Sequence, residues 1–159
     1  LLSLIQSKLI EPEMVVDTAM KMAEENGWNV IHVVIDDYKK AILKAALEKY
    51  DFSKENGNLT MVRPSNIAQA LPNIERYFIN EKFVFGNNRM LMWATNNTKV
   101  IPWKKSTTGD ADLGNQIYAK INPRFRKNDP FMAFVHSFVE AERLTGAVSL
   151  ESMAAFRGV

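Results

Sequence analysis

Apolar residues recur at helical spacing in several stretches of the chain. In residues 11–27, Val16, Met20 and Ala23 share one stripe, and Asn26-Gly27 supplies a typical helix stop. A second helix is predicted over residues 37–50. We expect its inward side chains to be the following: Ile42, Ala45, Ala46 and Tyr50.

Two further helices are predicted from the same spacing. One covers residues 66–80, where Pro72 is expected to start or kink a turn. The other covers residues 130–144 and begins at Asp129-Pro130, a common way to start a helix, because Asp caps free amides and Pro has no N–H to lose. Its apolar side chains, spaced to pack on a core, are Phe131, Phe134, Val135 and Phe138.

The strand predictions rest on runs of β-branched and aromatic residues. Residues 29–36 lack polar alternation, which is typical of a strand covered on both faces, as in a parallel sheet. Residues 59–64 form a second short run that ends at Pro64. We predict strands over residues 82–85 and 89–103, around a turn at 86–88. We predict a polar loop or hairpin over residues 104–128. The β-α-β-α order predicts an α/β domain.

Composition limits the classes of protein that fit. At 159 residues, with 47% hydrophobic and 24% charged positions, the chain suits one globular domain better than two. It has no cysteine, so disulfides and thiolate metal sites are excluded. No apolar run approaches the roughly 20 residues of a membrane span, and no signal peptide opens the chain. The first residue is Leu1, which suggests that something upstream is missing.

The cations cluster although the net charge is only +2. Within residues 104–127, only Asp110 and Asp112 offset six basic residues. Such a cluster is able to follow a phosphate backbone, and a solvated loop is the equally weighted alternative. The basic residues are Lys104, Lys105, Lys120, Arg124, Arg126 and Lys127.

Aspartates at element ends are the candidate metal ligands. Asp36 and Asp37 end the first predicted strand, where ligands collect in open α/β sheets, and alternation lets only one of them face a cleft. A strand-end Asp beside the helix-start Asp129 suits two-metal phosphodiester chemistry, since Mg²⁺ and Mn²⁺ prefer oxygen ligands and lie about 4 Å apart in such sites. Helix capping is the simpler role for each of these carboxylates. Glu140, about three turns beyond Asp129, lies too far away to share the site.

Other possible ligands have simpler interpretations. Residues 110–114, "DADLG", lack the oxygen positions of a calcium loop and are predicted to form a hairpin turn. His32, in the predicted strand, and His136, in the apolar helix, are expected in the core. Trp93 and Trp103 have the chemistry to stack on bases, but sheet packing is the favoured role.

Residues 85–141 resemble the C-terminal end of the large terminase subunit of tailed bacteriophages or prophages. The sequence "FGNNRMLMWATNNTKVIPWKKSTTGDADLGNQIYAKINPRFRKNDPFMAFVHSFVEA" carries the ordered features of that family at Asn88, Trp93, Asn96, Gly114-Asn115, Lys120 and Asp129 to Ala133. Upstream, "VIDDYKKAILKAAL" is similar to the family's strand ending in Asp, followed by an aromatic residue. This match selects Asp36 with Tyr38 and leaves Asp37 outside the motif. Phe85 stands where relatives often have His.

The resemblance implies a ribonuclease-H-like fold, with a central mixed sheet flanked by helices, over residues 1–159 with a core at 8–144. It implies a nuclease that cuts concatemeric double-stranded viral DNA during packaging, with two Mg²⁺ or Mn²⁺ ions. Asp36 and Asp129 would be the second and third metal-binding acids. The first acid is expected on a hairpin preceding Leu1, so this chain alone is expected to cut weakly or not at all.

The same resemblance implies the partners and the setting of the protein. The ATPase domain, the small terminase subunit and the portal protein are the expected partners besides double-stranded DNA. The expected location is the cytoplasm of the bacterial host, without a membrane.

Three functions are compatible with the sequence. The first is a metal-dependent DNA endonuclease domain. The second is a nucleic-acid-binding or assembly module of the same fold that does not cut. The third, an unrelated doubly wound domain for a small ligand, is disfavoured because no Gly-rich phosphate loop follows either predicted strand.

Overall fold

The backbone contacts divide the protein into two compact units. The structure, a computed structural model, describes residues 11–103 and 116–147. The first unit lies within Ser3–Arg63 and the second within Pro64–Val159. The single domain expected from the sequence stays a prediction.

The first unit combines two helices with a parallel pair of strands. Its elements are α1 (Pro12–Glu25), β1 (Val33–Asp36), a 3-10 turn (Asp37–Lys39), α2 (Lys40–Glu48) and β2 (Leu59–Val62). Its core consists of Val16, Ile35, Ala46, Leu47, Phe52 and Leu59. The parallel pairing of β1 with β2 confirms the prediction from the unbroken apolar run. The strand is shorter than predicted, however, and leaves His32 just before it.

The predicted inward face of α2 is partly wrong. Ala46 is buried as expected, but Ile42 is 54% exposed and Tyr50 is 39% exposed, while Leu47 is buried instead. Leu43, Ala46 and Leu47 have the spacing of one helix face, so the face that packs on the core lies one residue away from the predicted one.

The second unit combines an antiparallel pair of strands with three helices. Its elements are α3 (Pro64–Ile79), α4 (Arg89–Asn96), β3 (Thr98–Pro102), β4 (Gln116–Lys120) and α5 (Asp129–Ala147). Helix α3 continues through Pro72, which lies on its exposed side. β4 falls in the stretch predicted as a loop or hairpin and pairs antiparallel with β3, as the hairpin alternative requires. Phe131 and Val135 of α5 are buried, as the spacing predicted.

The predicted strand at residues 82–85 does not form, although its alternation is real. Phe83 and Phe85 point to the same side, with ring centroids 4.8 and 5.2 Å from that of Phe134, while Val84 is 92% exposed. The rings pack against helical side chains, so the pattern of alternation arises without a strand partner.

The strand predicted from residue 89 is wrong over Arg89–Asn96, which is helix α4. Asn88 caps this helix, because its side chain accepts a hydrogen bond from the Leu91 amide at 3.0 Å. Met, Leu and Ala dominate the segment and favour a helix, whereas the β-branched residues come later, in β3.

The observed architecture is α/β, as expected. In the described residues the strands form two two-stranded sheets, one parallel and one antiparallel, and not the one central mixed sheet expected from the resemblance. The ribonuclease-H-like arrangement stays a prediction. No helix in residues 11–103 or 116–147 is long and apolar enough to cross a membrane.

A buried asparagine joins the segments of the second unit. Asn97, only 2% exposed, follows α4, and its carbonyl accepts a hydrogen bond from the Ile121 amide at 2.8 Å. Its side-chain amide donates to the Lys127 carbonyl at 3.2 Å. One residue therefore holds both ends of the segment that connects β4 to α5.

A second buried asparagine extends this junction. The Asn128 side chain, 1% exposed, donates to the Thr98 hydroxyl at 3.1 Å, and its backbone carbonyl accepts from the Met132 amide at 3.0 Å. The start of α5 is thus tied to the start of β3, which lies opposite Lys120 in the strand register. The polar contacts of this junction determine where Lys120 and Asp129 lie.

Replacement of Asn97 tests the junction. We expect Asn97→Ala to lower the free energy of unfolding by about 1–3 kcal/mol, because it removes a buried amide and its hydrogen bond to the Lys127 carbonyl. The exposed neighbour Asn96 offers a matched control, since Asn96→Ala should change the free energy of unfolding by no more than about 0.5 kcal/mol. Urea unfolding followed by circular dichroism measures both, and equal stabilities of the two variants would contradict the role given to Asn97.

Candidate functional site

Asp36 ends the first strand, as predicted. Its side chain is exposed, and its Oδ1 atom accepts a hydrogen bond from the Tyr38 amide at 2.9 Å. This local bond starts the 3-10 turn, and the carboxylate still faces solvent at the carboxyl end of a parallel strand pair. Capping and ligand binding are compatible at this position.

Asp37 lies in a different setting from Asp36. Its carboxylate forms an ion pair with Arg63, with 3.7 Å between Nε and Oδ2, and its side chain is 29% exposed. A carboxylate held by a guanidinium is less suited to a metal than the more exposed Asp36. This difference agrees with the choice of Asp36 from the sequence.

Asp129 is the first residue of α5 and is readily accessible. Its side chain is 70% exposed, and Oδ1 lies 3.2 Å from the Lys120 ammonium. The capping prediction was wrong by one position, because the Asn128 carbonyl accepts the first helical hydrogen bond. Asp129 therefore occupies the first turn, where a negative charge is favoured by the helix dipole.

The predicted DNA-binding cations divide into three groups. Lys104 and Lys105 lie outside the described residues, as do the "DADLG" turn and Gly114-Asn115. Lys120 forms the ion pair with Asp129, and its side chain is 30% exposed. The exposed cations of the segment before α5 are Arg124, Arg126 and Lys127.

We name residues 121–127 the cationic loop. Within it, the Asn122 side-chain oxygen accepts hydrogen bonds from the amides of Arg124 at 3.0 Å and Phe125 at 3.2 Å. The Asn122 carbonyl also accepts from the Arg126 amide at 2.9 Å. The loop is thus ordered by its own hydrogen bonds as well as by Asn97.

The two candidate ligands have the right chemistry for a hard cation but do not make a complete site by themselves. Asp36 belongs to the first unit and Asp129 to the second, so their proximity stays a prediction. No group of three His, Asp or Glu side chains able to hold a metal occurs in the part of the chain that the structure describes. Exposed carboxylates suit Mg²⁺ or Mn²⁺, and a bound ion would have to compete with Lys120 at Asp129.

The remaining sequence candidates have structural partners. Glu140 is buried and accepts a hydrogen bond from Arg143 Nε at 2.7 Å. The His32 ring nitrogen lies 2.9 Å from the Thr60 hydroxyl, and His136 is half-buried in α5. Trp93 is 49% exposed on α4, so its expected packing in a sheet is wrong.

A cavity that the sequence did not indicate lies within the second unit. It has a volume of about 510 Å³, with Phe78, Tyr118 and Phe131 among its walls and Glu75 and Lys99 as charged lining residues. Burial raises the pKa of the Tyr118 hydroxyl, and the Glu75 charge raises it further. The lining residues come from five separate elements, so no local sequence pattern predicts the cavity.

The raised pKa of Tyr118 predicts a loss of stability in alkali. The folded state holds the phenolic proton more tightly than the unfolded state, whose tyrosine has the ordinary pKa of 10.0. This contribution is therefore complete below about pH 10 and is lost as pH rises towards the folded-state value. Urea unfolding between pH 8 and pH 11, in roughly half-unit steps, should show a steeper loss in the parent than in Tyr118→Phe. Parallel pH profiles would contradict the assignment.

Comparison with known proteins identifies no relative of this chain. No protein-family model, no curated protein and no solved structure matches the chain. The support for a function therefore comes from the described residues and from the resemblance in the sequence.

Proposed function

We propose that the chain is a metal-dependent DNA endonuclease domain of a viral genome-packaging terminase. The observation that carries the proposal is the setting of the two carboxylates. Asp36 is exposed at the end of a parallel strand, and Asp129 is exposed at the start of a helix, directly after the cationic loop. A carboxylate next to ordered cations suits a site that binds both a metal and a phosphate backbone.

In the proposed reaction, water hydrolyses a phosphodiester bond of concatemeric double-stranded DNA. Asp36 and Asp129 would hold Mg²⁺ or Mn²⁺. When bound, these ions supply stabilisation of the attacking and leaving oxygens. The ribonuclease-H-like arrangement of the two units, with both carboxylates within about 8 Å of each other, forms part of the proposal.

The chain's own cations have a separate role in this proposal. Arg124, Arg126 and Lys127 contact phosphates and hold the duplex, and their binding weakens as salt increases. The ATPase domain, the small terminase subunit and the portal protein are the proposed partners in the bacterial cytoplasm. These partners follow from the resemblance alone.

A second candidate function is a nucleic-acid-binding or assembly module that does not cut. The pairing of Lys120 with Asp129 favours it, because the ammonium already neutralises one of the two acids. Among residues 11–103 and 116–147, no group of three His, Asp or Glu side chains is arranged to hold a metal. Both functions require DNA binding, and only the first requires a metal.

Replacement of Asp129 separates the two functions. In protein expressed from the complete gene, Asp129→Asn should lower Mn²⁺-dependent cutting of plasmid DNA by about a hundredfold or more, since it removes a direct ligand. The fold should persist, because the side chain is 70% exposed and Asn128, not Asp129, provides the first helical acceptor. DNA binding in chelator should remain.

Asp37→Asn is the matched control for this measurement. It removes the carboxylate that follows Asp36 in the first unit, is paired with Arg63 and lies outside the motif, so cutting should continue. Full Mn²⁺-dependent cutting by folded Asp129→Asn would contradict the role of Asp129 as a metal ligand. Absence of cutting by the parent, with DNA binding intact, would favour the module that does not cut.

A further inference from the structure

An exposed phenylalanine lies in the middle of the cationic loop. Phe125 is 73% exposed, and the residues on either side of it are Arg124 and Arg126, with Lys127 next. An exposed aromatic ring is costly in water, and isolated exposed apolar residues are common on protein surfaces. The distinctive feature here is the ordered, positively charged setting of the ring.

The backbone around Phe125 is held in place from several sides. Asn122 accepts a hydrogen bond from the Phe125 amide itself at 3.2 Å, and Asn97 binds the segment at Ile121 and at Lys127. A loop ordered before binding loses less conformational entropy when it meets a partner. The loop therefore presents the ring in a defined position.

The charge around the ring identifies the chemistry of the partner. The Arg124 guanidinium carbon lies 5.7 Å from the centroid of the Phe125 ring. In the described part of the chain, no residue forms an ion pair with Arg124, Arg126 or Lys127. The surface is therefore aromatic at its centre and cationic around it, which suits a polyanion that also offers flat apolar faces.

We propose that Phe125 is a wedge that stacks on the bases of duplex DNA, while the flanking cations hold the phosphates on either side. The proposal rests on the proposed function for its choice of DNA as the partner. Apolar side chains are able to enter a base step when nearby cations supply the binding energy that unstacking requires. Phe125 precedes Asp129 by four residues on an ordered segment, so the unstacked step would lie near the candidate metal ligand.

The geometry favours DNA over an anionic membrane surface, the other polyanion that accepts an aromatic ring among cations. The loop exposes a single aromatic ring, and membrane-binding segments usually bury a larger continuous apolar face. Binding to anionic lipid is therefore the alternative outcome that the experiment tests.

The experiment measures DNA binding by the chain in chelator, so that metal and cutting play no part. Fluorescence anisotropy of a short labelled duplex is recorded at several salt concentrations, with a fully paired duplex and with one that carries a single mismatch. The variants are Phe125→Ala, Phe125→Trp, Arg126→Ala and Val84→Ala. The last removes an apolar side chain that is 92% exposed elsewhere in the same unit. Vesicles of phosphatidylcholine, with and without phosphatidylserine, test the alternative.

The wedge predicts a distinct pattern among these variants. Phe125→Ala should weaken DNA binding by about five- to 150-fold with an unchanged salt dependence, because it removes stacking and no charge. Arg126→Ala should lower the salt slope by about one. The parent should prefer the mismatched duplex, where unstacking costs less, and only Phe125→Ala should lose that preference. Phe125→Trp should retain it, and Val84→Ala should behave as the parent.

Three results would overturn the inference. They are parent-like DNA binding by Phe125→Ala, no DNA binding by the parent in chelator, and a Phe125-dependent binding of phosphatidylserine vesicles in place of DNA. Parent-like DNA binding by Phe125→Ala would leave the proposed function standing, whereas absence of DNA binding by the parent would count against both proposals. Equal unfolding midpoints of the parent and Phe125→Ala show that the change acts on binding and not on folding.

Discussion

The hydrogen bonds of one buried residue, Asn97, through its backbone carbonyl and its side-chain amide, connect the segments of the second unit. A buried amide that lacks partners costs free energy, so its position is strongly determined once its partners are present. Asn97 meets the chain where β4 ends and again where the cationic loop ends. The cationic loop is therefore held in a fixed position relative to the end of α4 and the start of β3. Its cations and Phe125 are thus positioned by a buried residue, Asn97, that is not part of the exposed surface.

The elements were predictable where local pattern and tertiary packing agree. Helices α1 and α2 and strands β1, β2 and β3 lie within the stretches that the sequence indicated, and α3 and α5 overlap the helices predicted there. The errors occur where the same residues satisfy two patterns. Phe83 and Phe85 alternate as in a strand, yet their partner is an aromatic cluster on α5. At residues 89–96 the apolar run was assigned to a strand, although an Asn cap and helix-forming residues favour a helix.

The candidate site was predictable only in part, for a similar reason. Asp36 and Asp129 were selected because both lie at element ends, a feature that the sequence displays. The pairing of Lys120 with Asp129 was not predictable, because it depends on how the loop between β4 and α5 turns back. Asn97 and Asn128 were also missed. Each lies in a polar stretch, and only the strand register and the burial of the side chains reveal their contacts.

Electrostatics sets the last constraint on the cationic loop. Three cations within four consecutive residues repel one another, and the ordered backbone prevents them from moving apart. Lys120 is partly neutralised by Asp129, but no described residue forms an ion pair with Arg124, Arg126 or Lys127. The buried Asn128 Oδ1 atom, which has no hydrogen-bond partner in residues 11–103 and 116–147, adds a further cost at the same junction. A polyanion bound across the loop would reduce the repulsion between its cations, which is what the proposed DNA binding requires.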